Sequence, residues 1–127
     1  WLSYIIPFKI TGVRSEIHPR VDLVLYLGKL MLNGQTVNYS GGGLYDLFQL
    51  FFQKHPVKLH ASQKVLILGF GGGSVATLLR QQGFLGEITG IEADAGIAEL
   101  AKEYFKTEQW GNLDIQVTDA FQFLKTT

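Results

Sequence analysis

The sequence predicts an α/β fold in which a small antiparallel β-hairpin unit and an apolar helix precede the first half of a parallel sheet. Its 127 residues suit one domain rather than two. A hairpin signal, Asn33-Gly34, lies between short apolar runs. From residue 64 the pattern alternates strand–helix–strand–helix–strand, which implies right-handed crossovers and a parallel sheet. We therefore divide the chain into a β unit (1–43), a helix with its linker (44–60) and the beginning of a parallel α/β domain (61–127).

The first part of the chain is predicted to be rich in strands and turns. Apolar, β-rich runs predict strands at Tyr4–Ile10, Val21–Leu27, Lys29–Leu32 and Gln35–Tyr39. A polar loop over residues 14–20 ends at His18-Pro19, because a residue before proline avoids the helical region. Gly28 and Asn33-Gly34 separate the later strands. The Asn-Gly pair predicts a tight turn, since both residues tolerate a positive φ.

A helix is predicted over Leu44–Lys54, after three glycines and before His55-Pro56. Leu44, Leu47, Phe48 and Phe51 recur at helical spacing, and further apolar residues extend around its sides. A helix that is apolar nearly all round lies between other elements or at an interface.

The second part reads as alternating strands and helices. Val65–Leu68 is an uninterrupted apolar run, as expected for a parallel strand covered on both faces. The remaining elements predicted are a helix over Ser74–Gln82 stopped by Gly83, a strand at Glu87–Ile91, a helix over Ala95–Phe105, a strand at Asp114–Val117 and a helix from Ala120 to Leu124.

Composition excludes several classes of protein. Eleven basic residues balance eleven acidic ones, so the basic excess typical of nucleic-acid binding is missing. No segment is long and apolar enough for a membrane span, and we expect no membrane partner. With no cysteine and no clustered histidines, no metal site is predicted, and a reducing cytoplasm suits the chain. The chain opens with Trp1 and its only methionine is Met31, so we expect a piece of a longer or processed protein.

A ligand site is predicted at the carboxyl edge of the parallel sheet. Gly69, Gly71 and Gly73 follow the first strand directly, and glycines there let a ligand approach the backbone and a helix N-terminus. Glu92 ends the second strand 23 residues after Gly69, where a carboxylate can hold a ribose, and Asp119 follows the third strand. Tight packing, a solvated charge and a helix cap are the non-functional alternatives for these three features. Together at three strand ends, they favour a nucleoside site.

Three segments resemble the class I S-adenosylmethionine-dependent methyltransferase fold, and most of all the spermidine synthase (polyamine aminopropyltransferase) family. They are the glycine run after Leu68, Ile91–Phe105 and Val117–Leu124. A hairpin segment, Gly28–Gly34, is also similar to that family. The resemblance implies a Rossmann-like domain that binds S-adenosylmethionine, its decarboxylated form or methylthioadenosine, without a metal, in an aminopropyl or methyl transferase of polyamine biosynthesis. It implies these contacts: Gly69, Phe70, Gly71, Gly73, Glu92 and Ala93 to the nucleoside, Asp119 and Ala120 to its adenine, and Tyr45 to an amine substrate.

Departures from that family limit the expected chemistry. Phe70 and Gly72 replace a glycine and an aspartate of its glycine motif, and Leu47 replaces a carboxylate of its amine pocket. Its catalytic aspartate would lie beyond Thr127, so we expect this chain alone to be inactive. Asp46 and Asp94 are the acids left for the pocket.

Two other functions and one partner stay open. A non-catalytic binding or assembly module would keep the fold without the chemistry. A nicotinamide oxidoreductase would use Gly71-x-Gly73-x-x-Ala76 for a pyrophosphate. Without a further strand beside it, Val65–Leu68 would be an apolar sheet edge, so we expect a homodimer that covers this edge or the Leu44–Phe52 helix, unless the N-terminal hairpin covers the edge.

Overall fold

The computed structural model describes residues 2–126, and the features predicted at Trp1 and Thr127 lie outside this range. The α/β fold class is confirmed, with one antiparallel and one parallel sheet. The strands are β1 (Phe8–Val13), β2 (Val21–Tyr26), β3 (Lys29–Asn33), β4 (Asn38–Ser40), β5 (Lys64–Leu68), β6 (Glu87–Glu92) and β7 (Leu113–Val117). The helices are α1 (Gly42–Lys54), α2 (Ser74–Gln81), α3 (Ala95–Tyr104) and α4 (Ala120–Thr126), with short 3-10 helices at Leu2–Tyr4 and Thr107–Trp110.

The antiparallel sheet has the order β1-β2-β3-β4. The predicted strand at Tyr4–Ile10 is wrong at its start, since a 3-10 turn closes onto Leu2, whose carbonyl accepts from the Ile5 and Ile6 amides at 3.0 and 2.9 Å. Pro7 has no N–H to give to a ladder, and β1 begins directly after it. The loop predicted over residues 14–20 is confirmed between β1 and β2.

The tight turn of this sheet lies elsewhere than predicted. Leu27 and Gly28 join β2 to β3 with φ of 51° and 73°, which is the left-handed pair that a two-residue hairpin turn requires. Asn33 and Gly34 do not have positive φ; instead they open a wider loop, in which the Gly34 amide donates to the Val37 carbonyl at 2.7 Å. The hairpin signal at Asn33-Gly34 therefore marks a chain reversal, but of a different type.

Helix α1 begins two residues earlier than predicted, at Gly42, after Gly41 with φ 72°. It ends at Lys54 before His55-Pro56, as predicted. None of its residues is fully buried, and Leu47, Leu50 and Phe51 are 61%, 49% and 53% exposed. Within residues 2–126, no helix is long and apolar enough to cross a lipid bilayer.

The parallel sheet has the order β5-β6-β7, with Leu68 opposite Ile91 and Glu92 opposite Val117. The expectation that β5 is covered on both faces is wrong for the described residues. Val65 and Ile67 pack against the core, whereas Leu66 and Leu68 on the other face are 44% and 46% exposed. Helix α4, which contacts β6, leaves Phe121 77% exposed.

Among the residues that the structure describes, two hydrophobic clusters hold the elements together. The first lies between the parallel sheet and α2, around Phe70, Leu79, Phe84 and Ile88. The second joins Val21, Leu23 and Leu32 of the antiparallel sheet to Ile97 and Leu100 of α3. Through this second cluster, the antiparallel sheet is packed onto α3, the helix that follows β6. The division at residues 43 and 60 stays a prediction.

Arg80 fixes the end of α2 to the loops that lead into β6 and β7. One guanidinium nitrogen donates to the Phe84 and Gly86 carbonyls at 2.7 and 2.9 Å, and the other donates to the Gly111 carbonyl at 2.9 Å. Burial lowers the pKa of Arg80, yet a guanidinium stays protonated at any physiological pH. These hydrogen bonds fix the position of α2 behind residues 69–73, the glycine loop that follows β5.

Candidate functional site

The ends of the three parallel strands meet at one edge, as the sequence predicts. The Gly69 and Phe70 amides both donate to the Ile91 carbonyl at 2.9 Å, which joins the end of β5 to β6. The Thr118 amide donates to the Glu92 carbonyl at 3.0 Å, which joins β7 to the same point. Gly69, Glu92 and the residues after Val117 therefore occupy neighbouring positions along the carboxyl edge, where open α/β sheets bind ligands.

The glycines after β5 differ in what they face. Gly69, Gly71 and Gly73 have φ of 76°, 57° and 81°, a region that disfavours any side chain with a Cβ. At Gly71 a Cβ would also lie 2.8 Å from the Tyr39 carbonyl oxygen. Gly69 alone among them is exposed, with no atom within 4 Å of a Cβ placed there. The open approach to the backbone is at Gly69, while Gly71 and Gly73 are buried in the loop.

The side chain of Phe70 points into the protein. It is 4% exposed and belongs to the hydrophobic cluster behind the parallel sheet. Its ring occupies the space above Gly90 of β6, where any Cβ would overlap it, and it also lies close to Gly73. Phe70 therefore supports the glycine loop from beneath, and only its backbone reaches the candidate site.

Glu92 is held between two backbone amides. Its side chain is 7% exposed; one carboxylate oxygen accepts from the Gly71 amide at 2.9 Å and the other from the Asp94 amide at 3.0 Å. A carboxylate has about four acceptor positions, so each oxygen keeps one more. The glutamate thus ties the glycine loop to the start of α3.

Asp119, Ala93 and Ala120 flank Glu92 at the edge. Asp119 is exposed, and one of its carboxylate oxygens accepts from the Gln122 amide at 3.0 Å, which makes it the cap of α4. Its second oxygen has no hydrogen bond within residues 2–126. Ala93 is exposed and Ala120 half-buried. These residues form the open side of the edge, next to Gly69.

A cavity of about 460 Å³ lies beside the other side of the glycine loop. It includes Tyr45, whose hydroxyl donates to the Gln81 side chain at 2.9 Å, and the buried Ser40 and Ser74, whose hydroxyls lie 2.6 Å apart. Its remaining polar and aromatic lining includes Lys29, Thr77, Tyr104, Phe105, Lys106 and Trp110. Desolvation and the nearby Glu103 carboxylate raise the pKa of Tyr104, which keeps this phenol neutral. Among the described lining residues, none carries a carboxylate.

The space around Gly72 is too small for the aspartate that stands at this position in the family that the sequence resembles. A Cβ on Gly72 would lie 2.8 Å from the Ser40 Cβ and Oγ, and 3.0 Å from the Phe105 ring. The end of β4 and the end of α3 therefore close over this position. The absence of a carboxylate at residue 72 is built into the packing around it.

Neither acid proposed for the pocket lines the cavity. Asp46 is 61% exposed and lies 3.8 Å from the Lys29 ammonium. Asp94 is 1% exposed and caps α3, where it accepts from the Gly96 and Ile97 amides at 2.9 and 3.3 Å. An aspartate directly before an apolar helical run is a typical N-cap, so the sequence contained the signal for this role. The contact between Asp94 and Ser15, which lies 79 residues earlier in the chain, could not be predicted from the sequence pattern.

The chain matches a known protein family over more than half of its length. The model of the Spermine/spermidine synthase domain matches residues 49–127. A polyamine aminopropyltransferase of Ruegeria sp. (strain TM1040) is 31% identical over 78 residues, which cover 57% of this chain and 28% of that protein.

Two solved structures share the fold. A spermidine synthase in complex with the transition-state analogue AdoDATO superposes with a TM-score of 0.65 at 18% identity, and the spermidine synthase of Thermotoga maritima with 0.66 at 19%. Each similarity covers 93% of this chain and 43% of the other. The chain therefore spans less than half the length of the relatives that it matches. On the match to the family model, the chain belongs to the spermine/spermidine synthase family.

Proposed function

We propose that this chain supplies the nucleoside-binding part of an aminopropyltransferase, with decarboxylated S-adenosylmethionine as the ligand. The observation that carries the proposal is the convergence of the exposed Gly69 with Glu92 and Asp119 at one sheet edge. Membership of the spermine/spermidine synthase family supports it, since the relatives include a polyamine aminopropyltransferase.

The residues at this edge fit an adenosyl group in their chemistry. The acceptor positions left on Glu92 suit two ribose hydroxyls, and the free oxygen of Asp119 suits the amino group of adenine. Ala93 and Ala120 offer small apolar surfaces beside the base, and Gly69 admits the sugar close to the backbone. When bound, decarboxylated S-adenosylmethionine supplies an aminopropyl carbon that is electrophilic because it is bonded to a sulfonium sulfur.

Transfer to an amine needs more than the described residues offer. Alkyl ammonium groups have a pKa of about 10.4, so an acceptor nitrogen must lose a proton before it can attack. Asp46 is exposed beside Lys29, and Asp94 is committed to the start of α3. We therefore expect nucleoside binding without turnover by these 127 residues alone.

The test is calorimetric titration of the protein with methylthioadenosine, S-adenosylmethionine and NADH. Glu92→Gln keeps the shape and removes the charge, and Glu99→Gln, at an exposed position of α3, is the matched control. Hydrogen bonds to a charged group contribute about 1.5–3 kcal/mol, so Glu92→Gln should weaken methylthioadenosine by roughly ten- to a hundredfold. Equal affinities in the wild type, Glu92→Gln and Glu99→Gln would remove Glu92 from the site.

A non-catalytic binding or assembly module is the second candidate. The closed packing of Ser40 and Phe105 over Gly72 favours it, because that packing excludes the carboxylate found there in the resembling family. A folded protein that binds none of the three nucleosides would support this function over the first. A nicotinamide site is not proposed, since the Tyr39 carbonyl and Ser40 cover the glycine loop where a pyrophosphate would bind.

A homodimer through β5 or α1 and a cytoplasmic location stay predictions. The open edge of β5 and the exposed Leu47, Leu50 and Phe51 of α1 support the first. Light scattering across a range of concentrations tests it, and a monomer at every concentration contradicts it.

A further inference from the structure

The loop between β1 and β2 closes on itself and leaves one hydroxyl proton to donate. The Ser15 amide donates to the His18 carbonyl at 3.0 Å, and the Ser15 hydroxyl oxygen accepts from the Ile17 and His18 amides at 3.2 and 2.9 Å. The proton of that hydroxyl is donated outward, to a carboxylate oxygen of Asp94. A surface loop of the antiparallel sheet is thereby connected to the first turn of α3.

Asp94 passes this contact on to the candidate site. Its carboxylate is 1% exposed, and the oxygen that does not receive Ser15 caps α3. Its own amide donates to Glu92 at 3.0 Å, and the other oxygen of Glu92 accepts from the Gly71 amide at 2.9 Å. Ser15, Asp94, Glu92 and Gly71 therefore form one continuous hydrogen-bonded series, which we name the Ser15 series.

The same loop touches the glycine loop from a second direction. The Tyr39 hydroxyl lies 2.8 Å from His18 Nδ1, with the two rings 4.7 Å apart. The Tyr39 carbonyl faces Gly71, where a Cβ would come within 2.8 Å of it. The Glu92 carboxylate contacts Gly71 on one side and the Tyr39 backbone lies on the other. Loop 14–20 is connected to both of them, to Glu92 through Asp94 and to Tyr39 through His18.

We propose that Ser15 is a positioning residue for the nucleoside site, acting on Glu92 through Asp94. Without the Ser15 hydroxyl, a buried carboxylate oxygen of Asp94 loses its partner, which costs free energy unless the side chain turns to find another. Such a turn moves the first residues of α3, and with them the Asp94 amide that holds Glu92 against Gly71. This inference rests on the proposed function, because it gives Glu92 the role of ribose ligand.

The experiment compares three variants. Ser15→Ala removes the hydroxyl, Ser15→Thr keeps it, and Ser62→Ala alters an exposed serine in the linker before β5 as the matched control. The first readout is amide hydrogen exchange at Gly71 without ligand, which reports the Glu92–Gly71 bond directly. The second is methylthioadenosine affinity in the wild-type and Glu92→Gln backgrounds.

Ser15→Ala should speed exchange at Gly71 by about tenfold while leaving the strands of the parallel sheet protected. It should weaken methylthioadenosine on the order of fivefold in the wild-type background and not at all beside Glu92→Gln, as residues of one network are non-additive. Ser15→Thr should behave as wild type. Unchanged exchange at Gly71, or an equal loss of affinity in both backgrounds, would overturn the inference. If wild type binds no methylthioadenosine, the proposed function fails, and the exchange at Gly71 still decides whether Ser15 positions Glu92.

Discussion

The absence of a side chain at Gly90 makes room for the ring of Phe70, a residue of the glycine loop. The Phe70 ring lies where a Cβ on Gly90 would be, so this strand glycine and the aromatic residue of the glycine loop depend on each other. Gly90→Ala should lower the free energy of unfolding by about 1–3 kcal/mol, the usual cost of overpacking a core. Gly43→Ala on α1 is the control: nothing lies within 4 Å, and the loss of glycine should raise stability by up to ~1 kcal/mol. Urea denaturation of both variants measures this, and equal stabilities would contradict the packing.

At this scale the sequence predicts backbone better than side chains. The glycines after the first parallel strand predicted backbone that a ligand can approach, and at Gly69 no atom lies within 4 Å of a Cβ placed there. The inward direction of Phe70 was not predictable, because the space that it fills is created by a glycine in the next strand. Glu92 was placed at the correct strand end, but its two amide partners depend on how the glycine loop and α3 meet. The local sequence pattern does not determine how the glycine loop and α3 come into contact.

At the scale of elements, β5 is the strand whose environment differs most from prediction. Leu66 and Ile67 are neighbours on opposite faces, one 44% exposed and the other packed in the core. Leu66→Lys should cost less than about 1 kcal/mol of stability, as typical surface changes do. Ile67→Lys should unfold the protein, since a buried unpaired charge costs several kcal/mol. Circular dichroism of the pair tests this; a similar loss in both would mean that the open face is covered in solution.

An uninterrupted apolar run predicts a strand correctly but does not determine what covers it. Val65–Leu68 forms a strand as expected, and the register with β6 follows the parallel pattern. Coverage depends on which elements pack on each face: α2 and α3 contribute to the cluster that contains Val65 and Ile67, while Leu66 and Leu68 on the other face stay exposed. The predicted bounds of α2 and α3 differ from those found by one residue, and Gly83, the predicted stop of α2, directly follows its C-cap Gln82 with a φ of 87°.

At the scale of the whole molecule, the two sheets should unfold together. Leu23 of β2 is fully buried in the cluster that includes Ile97 and Leu100 of α3. Leu23→Ala should cost about 2–5 kcal/mol, and amide exchange should accelerate in β6 as well as in β2. Val37→Ala, in an exposed loop of the same sheet, should leave both unchanged. Faster exchange confined to the antiparallel sheet would show that the two sheets are independent.

The free edge of β5 has a geometric consequence for any pairing of two copies through it. A two-fold axis perpendicular to the sheet would set one β5 antiparallel to the other and produce a continuous six-stranded sheet from the three strands of each copy. Such a rotation reverses strand direction, so the rims that carry Glu92 would face opposite ways. Two nucleosides bound to that assembly would be far apart, and neither copy would contribute a side chain to the other's ligand.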